Sequence, residues 1–325
     1  AWLADKVNNA STVSAIYAVL TDDIDLGGCS FTPIGKDFHE FSGVFDGQGH
    51  TISGLNVSGV NDAGFFGVAK AATIKNIIVQ GTVSGTSNAA GILARAKTTT
   101  CTIESCGNEA AVTVIKSSGG YAGGILGHAI TSTTVTKCYN NGAVTSKGNT
   151  SYSRASGIVG YLSGNGPAKI TTCYNTGKVT SDGYAAGAFG GYGGPSLTVS
   201  DCYNTGSISN TNKSKAGAFT TSNSDTATNS FYLKDSIPED ANTNGAAALT
   251  LAEMQSDLLG KLDKANWKSV RGVNNSLPVL KWQSVSAPTA SVELVSDAAF
   301  VRSVITTEDG DETSLPTAQL QWTTP

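Results

Sequence analysis

The sequence predicts an all-β protein, a parallel β-helix (solenoid) with coils of about 30 residues, from three observations. Three columns of residues recur in phase along the chain, and the segments between them are short and rich in Gly, Ser, Thr and Asn. No amphipathic helical pattern occurs over residues 43–232, which excludes helical repeats of similar period. Coils stacked at about 4.8 Å place equivalent residues above one another, so apolar columns fill the inside.

The three columns fix the expected coil. Each coil should hold three strands, for example "GGILG", "TVTKCYN" and "GAVTS". The first column is a glycine before two apolar residues, with steps of 27, 33, 33, 30 and 30: Gly64, Gly91, Gly124, Gly157, Gly187 and Gly217. The second is Ile77, Cys106, Cys138, Cys173, Cys202 and Phe231, and the third is Val83, Val112, Val144, Val179 and Ile208.

The cysteines of the second column are interpreted as small buried apolar residues, because Ile77 and Phe231 occupy equivalent positions. Stacked Cβ atoms at about 4.8 Å are also further apart than the roughly 3.8 Å that a disulfide prefers. Strict alternation would point Val135 and Cys138 to opposite faces, so a turn is expected between them.

Two further rows accompany the cysteines. Asn108, Asn140, Asn175 and Asn204 are expected to form a structural asparagine ladder at a turn, with a glycan- or metal-binding row as the alternative. Tyr139, Tyr174 and Tyr203 form the other row. If these rings face solvent they make a rigid aromatic strip for sugar or protein contact, and if they are buried they only pack.

The two ends of the chain depart from the repeat. Residues 1–42 are interpreted as an N-terminal cap and entry coil with a short helix in "WLADKVNNA", and residues 43–232 as the β-helix repeats. Residues 233–285 are expected to form a C-terminal cap with one helix, capped by Thr250 and Glu253, and with Trp267 and Trp282 in its core. Residues 286–325 read as a β appendage or the first strands of an Ig-like domain.

Composition narrows the class of function. Charged residues make up 14% of the chain and the net charge is -4, which gives no electrostatic case for binding nucleic acid or an anionic membrane. No apolar run is long enough to span a bilayer, and membrane insertion is not expected. The polar, weakly charged composition indicates a secreted or cell-surface protein. The chain begins "AWLADKV", without Met or a signal segment, and is interpreted as a processed protein or a fragment.

The stretches "DDIDLGG", "FTPIG" and "FSGVFDGQGHTISGL", followed by "GFFG", "GGILG" and the "CYNTG" repeats, resemble bacterial surface proteins with GLUG-type repeats. "LPVLKW" is similar to the segment that closes such arrays, and the resemblance covers roughly residues 15–283. It implies a right-handed parallel β-helix, export, and a place within larger multidomain proteins. Such proteins include adhesin-like proteins and accessory regions of secreted peptidases, among them ones that cleave immunoglobulin A. It transfers no catalytic residue.

Catalysis on a β-helix usually needs converging carboxylates. Acids cluster at the entry, where Asp22, Asp23 and Asp46 are the candidate catalytic or calcium-binding residues of a polysaccharide hydrolase or lyase. They equally suit turns and caps. The histidines, His39, His50 and His128, are expected to be surface or turn residues, and no serine is seen to pair with one of them. No cofactor or metal site is expected apart from possible calcium at the entry.

The preferred hypothesis is a non-catalytic extracellular module that presents one face to a glycan or host protein. Its candidate contact residues are the tyrosine row above and the loop residues Tyr152, Arg154 and Tyr161. The alternatives are the carbohydrate-active enzyme and a structural spacer of a secreted peptidase. The enzyme requires two entry carboxylates to face each other in an open cleft, and it fails if those carboxylates bond turns.

Overall fold

A computed structural model gives a parallel β-solenoid of about seven coils, as the repeat predicts. The structure describes residues 2–10, 14–163, 168–188, 197–210, 215–222 and 225–287, and the backbone of 291–297 and 300–306. Twenty-six strands belong to one continuous parallel sheet that winds around a single apolar core. Among the described residues, neither helix is long and apolar enough to cross a membrane.

The strands follow the coils in order. The entry coils contain β1 (Ile16–Val19), β2 (Ile24–Asp25), β3 (Phe41–Asp46), β4 (Thr51–Ala63) and β5 (Phe66–Ala90). The next coil contains β6 (Leu93–Ala96), β7 (Cys101–Asn108), β8 (Ala111–Lys116) and β9 (Tyr121–Gly123). The two central coils contain β10 (Leu126–Ala129), β11 (Thr133–Thr136), β12 (Tyr139–Asn140), β13 (Val144–Gly148), β14 (Arg154–Ser156), β15 (Val159–Leu162), β16 (Ala168–Thr171), β17 (Tyr174–Asn175), β18 (Val179–Ser181) and β19 (Tyr184–Ala186). The last coils contain β20 (Leu197–Ser200), β21 (Tyr203–Asn204), β22 (Ile208–Asn210), β23 (Ala216–Gly217), β24 (Thr226–Thr228), β25 (Phe231–Leu233) and β26 (Ala247–Leu249).

The repeat columns appear as stacked partners in the sheet. Every step of the valine column is a register pair, from Val83 with Val112 to Val179 with Ile208. The second column is confirmed from Ile77 to Cys202 but ends differently from the prediction. Tyr203 pairs with Phe231, so Ser230 lies above Cys202. The sequence prediction places Phe231 in this column because it is apolar, whereas in the structure Phe231 extends the tyrosine row.

A left-handed residue turns the chain immediately before each member of the second column. Lys137, between Val135 and Cys138, has φ of 53°. This is the turn that the sequence required, and it lets both of those side chains face the core. The same positive φ recurs at the equivalent positions: Asn76, Ser105, Thr172, Asp201 and Asn229. Because of these corners "TVTKCYN" forms two strands rather than one, and the central coils hold five short strands instead of three.

The column cysteines are free and buried, as expected. They are nevertheless more than apolar filler. The Cys173 thiol donates to the carbonyl of Thr171 and accepts the backbone N–H of Cys138. Ser230 makes the equivalent bonds with its hydroxyl, donating to the carbonyl of Thr228 and accepting the N–H of Cys202. The position therefore also suits a small side chain that can donate and accept hydrogen bonds.

The asparagine ladder is confirmed as a structural feature inside the solenoid. Nδ2 of each asparagine donates to Oδ1 of the next, at 2.7 Å from Asn108 to Asn140, 2.7 Å from Asn140 to Asn175 and 2.8 Å from Asn175 to Asn204. All four side chains are at most 1% exposed. Four glycines of the glycine column, Gly91, Gly124, Gly157 and Gly187, pack directly against these amides, so a side chain at these positions would overlap the ladder.

The N-terminal end is closed by α1 (Trp2–Asn8), the helix that the sequence predicts. Ala4 and Val7 pack on the core. The Asn8 amide donates to the carbonyl of Pro33 at 2.9 Å and accepts the N–H of Gly35 at 2.8 Å, which ties the helix to the entry coil.

The C-terminal segment contains α2 (Leu251–Lys261), β27 (Trp267–Lys268) and β28 (Val279–Leu280), with short 3₁₀ turns at Lys234–Ser236 and Asn274–Ser276. Thr250 and Glu253 form the predicted capping box. The segment folds back along one flank of the solenoid, where Met254, Leu258 and Trp267 form a second apolar cluster. Within residues 286–325, β29 (Ser291–Asp297) and β30 (Phe300–Thr306) form an antiparallel pair, and residues 307–325 lie outside the described residues.

The glycine column generates a prediction about stability. A Cβ on Gly157 would overlap the Asn175 amide and the carbonyl of Gly187, so Gly157→Ala should lower the free energy of unfolding by about 1–3 kcal/mol in urea denaturation. Gly260→Ala is the control, because Gly260 faces open space in α2 and the change should raise stability by about 0.5–1 kcal/mol. Equal changes in the free energy of unfolding for Gly157→Ala and Gly260→Ala would contradict the close packing of Gly157 against the Asn175 amide.

Candidate functional site: a tyrosine–arginine strip

The tyrosine row does not face solvent, so the binding role expected for an exposed strip does not apply to it. Tyr139, Tyr174 and Tyr203 are each 1% exposed, because the C-terminal segment covers them. Their rings stack at 5.2 and 5.0 Å, and Trp267 and Trp282 pack across them. Burial raises the pKa of all three phenols. The row joins the solenoid to its C-terminal segment.

The entry carboxylates bond turns, which was the outcome set against the enzyme alternative. Asp22 accepts the N–H of Asp23, and Asp23 accepts the N–H of Thr51 at 2.8 Å. Asp46 accepts the N–H of Gln48 at 2.9 Å and pairs with Lys75 at 3.0 Å. These bonds give the three carboxylates structural roles. In the part of the chain that the structure describes, no group of three or more His, Cys, Asp or Glu side chains is arranged to hold a metal ion.

The third set of candidates lies on the outer face of the central coils. The guanidinium of Arg154 lies 4.3 Å from the ring centroid of Tyr161. Its Nη1 donates to the carbonyl of Tyr152 at 3.0 Å, while the Tyr152 side chain is 58% exposed. The structure therefore brings Arg154 and Tyr161 together and leaves the Tyr152 ring in the adjoining loop.

Two tyrosines that the sequence analysis missed complete the group. The guanidinium of Arg154 lies 5.0 Å from the ring centroid of Tyr184 and 5.6 Å from that of Tyr121, and Lys215 Nζ lies 4.9 Å from the Tyr184 ring. Tyr121 and Tyr161 are 4.4 Å apart, centroid to centroid. We call Tyr121, Arg154, Tyr161, Tyr184 and Lys215 the tyrosine–arginine strip. Cation–π contacts of this kind are worth about 0.5–1 kcal/mol each at exposed sites.

Sheet register builds the strip. Arg154 pairs with Tyr121 on one side and with Tyr184 on the other, so these residues form one outer column. His128 pairs with Arg95 and with Tyr161, which gives a second outer column beside the first. The sequence does hold a signal for Tyr121 and Tyr184. Tyr121, Arg154 and Tyr184 each lie three residues before a member of the glycine column, so counting back from that column would have found them.

A network of ion pairs lies on the N-terminal side of the strip. Arg95 binds Asp62 through Nε and Nη2 at 3.0 and 2.8 Å, and binds Asp37 at 2.7 Å. Lys97 joins Asp37 to Glu40. Burial alone would raise the pKa of Glu40, but hydrogen bonds from its own backbone, Lys70 and Lys97 lower it to about 2. The acids and bases of this network therefore neutralise one another.

The cations of the strip, Arg154 and Lys215, and the neighbouring Lys116 are bound differently. Arg154 donates to a backbone carbonyl, and Lys215 Nζ donates to the carbonyl of Thr150 at 3.1 Å. Lys116, next to Tyr121 in a polar cavity of about 420 Å³, donates to the hydroxyl of Ser87 at 3.2 Å. Within the described ranges none of these three cations has an acidic partner. The positive charges at the strip are therefore not directly paired with any carboxylate of the described residues.

His128 lies beside the strip and, contrary to expectation, pairs with a serine, since its Nε2 is 2.8 Å from Ser163 Oγ. Burial, with contributions from Arg95 and Arg154, lowers the pKa of His128 to about 4. A serine nucleophile needs a histidine that gains a proton readily near neutral pH. The two arginines oppose that protonation, so this pair is not suited to nucleophilic catalysis.

Comparison with known proteins supports the fold. No family model and no curated protein matches the sequence. The crystal structure of a putative immunoglobulin A1 protease from Bacteroides ovatus is similar, with a TM-score of 0.64 and 19% identity over 85% of this chain and 90% of that chain. At this identity the similarity establishes a shared fold. The GLUG-type resemblance remains a resemblance carried by the quoted motifs.

The environment of His128 generates a prediction about pH dependence. The unfolded chain binds a proton below about pH 6.5 and the folded chain only below about 4, so stability is lost as the pH falls between these values. His128→Gln removes this titration. The stability advantage of the parent chain over the variant should shrink by about 2–3 kcal/mol from pH 7 to 4.5, as measured by urea denaturation. Parallel stability curves for the two proteins would refute the assignment.

Proposed function

We propose that the chain is a non-catalytic extracellular module, a rigid solenoid that binds a glycan along the tyrosine–arginine strip. The observation that carries the proposal is the set of three tyrosine rings around one guanidinium on adjacent coils. The strands that hold these side chains point their alternate residues into the core, for example Ala155 and Ala185 at 0% exposure. The strip is thus held in place before any ligand binds, which lowers the entropy cost of binding.

Its chemistry suits a glycan better than a host protein. A stable protein interface has an apolar centre with a polar rim. Of the large apolar side chains that are exposed, only Ile115 and Tyr152 belong to the coils of the strip, and the others described lie within residues 2–60 or at Leu251. Partly exposed tyrosine rings offer faces to the C–H groups of a sugar, while their hydroxyls and the neighbouring cations can bond its oxygens.

The second candidate is a structural spacer within a larger secreted peptidase. The shared fold with the putative immunoglobulin A1 protease favours it. A solenoid whose coils repeat at a fixed rise can separate two domains by a fixed distance. The two candidates are compatible, because a spacer with a glycan-binding face would also hold the attached domains near a surface.

The test is a glycan-array screen of the full chain with matched tyrosine variants. We expect binding to a subset of glycans, and Tyr161→Ala should weaken it roughly tenfold, the effect of about 1.4 kcal/mol. Tyr17→Ala is the control, because Tyr17 is 72% exposed on β1, away from the strip. Tyr184→Ala serves as a second strip variant, and circular dichroism checks folding. Binding that both strip variants leave intact, or no binding to any glycan, would overturn the proposal, and the latter result would favour the spacer.

A further inference from the structure

We infer that the strip is specific for an acidic glycan, a uronic-acid oligosaccharide that lies along the solenoid axis with its carboxylates against Lys116, Arg154 and Lys215. This inference rests on the proposed function and adds the class of sugar. The acidic specificity is inferred from two observations on the described residues. One is which Lys and Arg side chains pair with a carboxylate, and the other is where the unpaired cations lie.

Charge pairing separates these three cations from five others on the solenoid. Lys36, Lys147, Lys169 and Lys178 also have no ion pair among the described residues, but only Lys116, Arg154 and Lys215 lie at the tyrosines of the strip. Lys70, Lys75, Arg95, Lys97 and Lys137 each lie within 3.1 Å of a carboxylate oxygen. Lys116, Arg154 and Lys215 bond only neutral oxygens among the residues described. The chain as a whole carries a net charge of -4, so the positive charge at the strip is local and does not reflect a basic protein. A cationic patch on an acidic protein raises the local concentration of anionic ligands.

The chemistry of Arg154 favours a carboxylate. A guanidinium is planar and presents its donors in a fork that matches the two oxygens of a carboxylate. Nη1 of Arg154 donates to the carbonyl of Tyr152 and Nε is buried without a partner, which leaves the remaining Nη donors for a carboxylate. Tyr161 and Tyr184 support the guanidinium from its sides. The parts of these tyrosine rings that remain exposed can pack against the sugar ring that bears the carboxylate. Recognition of charge and of the pyranose would therefore take place at the same point of the strip.

The spacing of the cations favours a linear ligand over a single terminal acidic sugar. Lys116 belongs to the coil of Tyr121, Arg154 to the next, and Lys215 lies beyond Tyr184 on the following coils. Coils repeat at about 4.8 Å, which is comparable to the length of one pyranose residue. Cations are thus distributed along the axis over several coils. A terminal sialic acid would use one of them, whereas a chain of uronic acids would use all three.

The test compares an oligogalacturonate of about six residues with the same oligosaccharide after reduction of its carboxyl groups, by calorimetric titration of the full chain. We expect reduction to weaken binding at least tenfold, and added salt to weaken the binding of the acidic form alone. Arg154→Gln should weaken binding of the acidic ligand about tenfold and weaken binding of the reduced ligand by a smaller factor. Lys169→Gln on β16 is the control for the same change of charge elsewhere, and should have no effect.

The possible outcomes separate this inference from the proposed function. Equal binding of acidic and reduced oligosaccharides, or array binding confined to neutral glycans, overturns the acidic specificity and leaves the glycan-binding module standing. Binding of sialyllactose or of sulfated oligosaccharides without binding of oligogalacturonate also overturns it. Failure of every glycan on the array to bind overturns both. Arg154→Lys separates the effect of charge from that of the planar fork, because lysine keeps the charge and lacks the fork. Its affinity for the acidic ligand should lie between those of Arg154→Gln and the parent chain.

Discussion

The buried asparagine ladder is the interaction on which the rest of the structure depends. A side-chain amide inside an apolar core is costly unless both its donor and its acceptor are bonded. Asn140 and Asn175 meet this requirement through the adjacent asparagines and the carbonyls two residues on, at Gly142 and Gly177. A slip of one residue between coils would break these bonds and bury unpaired amides, so the ladder holds successive coils in a single register.

Register in turn decides what appears on the outside. Because side chains alternate along each strand, fixing the inner columns also fixes the outer ones. Tyr121, Arg154 and Tyr184 come from separate coils, and only in-register stacking makes them neighbours. A different flank shows the same effect with a different result, since its stacked tyrosines are covered by the C-terminal segment and hold it in place. One outer column is thus buried against the C-terminal segment, and another stays partly exposed.

The sequence predicts the inner columns well and the outer ones poorly, for a physical reason. Inner positions must accept the same small or apolar side chain in every coil, so Val83, Asn108 and Gly124 leave a visible period. Outer positions are not held to one side-chain type and vary from coil to coil, as in Asp62, Asn88, Tyr121 and Arg154, so no period marks them. The prediction for Phe231 was wrong because it used hydrophobicity alone. In the structure Ser230 occupies the column position, where its hydroxyl makes the same hydrogen bonds as the cysteines. Burial of the tyrosine row depended on long-range folding of residues 251–283, which a local repeat cannot reveal.

The free energy of unfolding of Asn175→Leu tests this account most directly. Leucine keeps the branched shape of asparagine, although it is larger, and it leaves an acceptor on Asn204, a donor on Asn140 and the carbonyl of Gly177 without a partner. At about 1–3 kcal/mol for each buried group, the account predicts a loss of at least about 3 kcal/mol. A variant as stable as the parent chain, or more stable, would show that the ladder does not hold the coils in register.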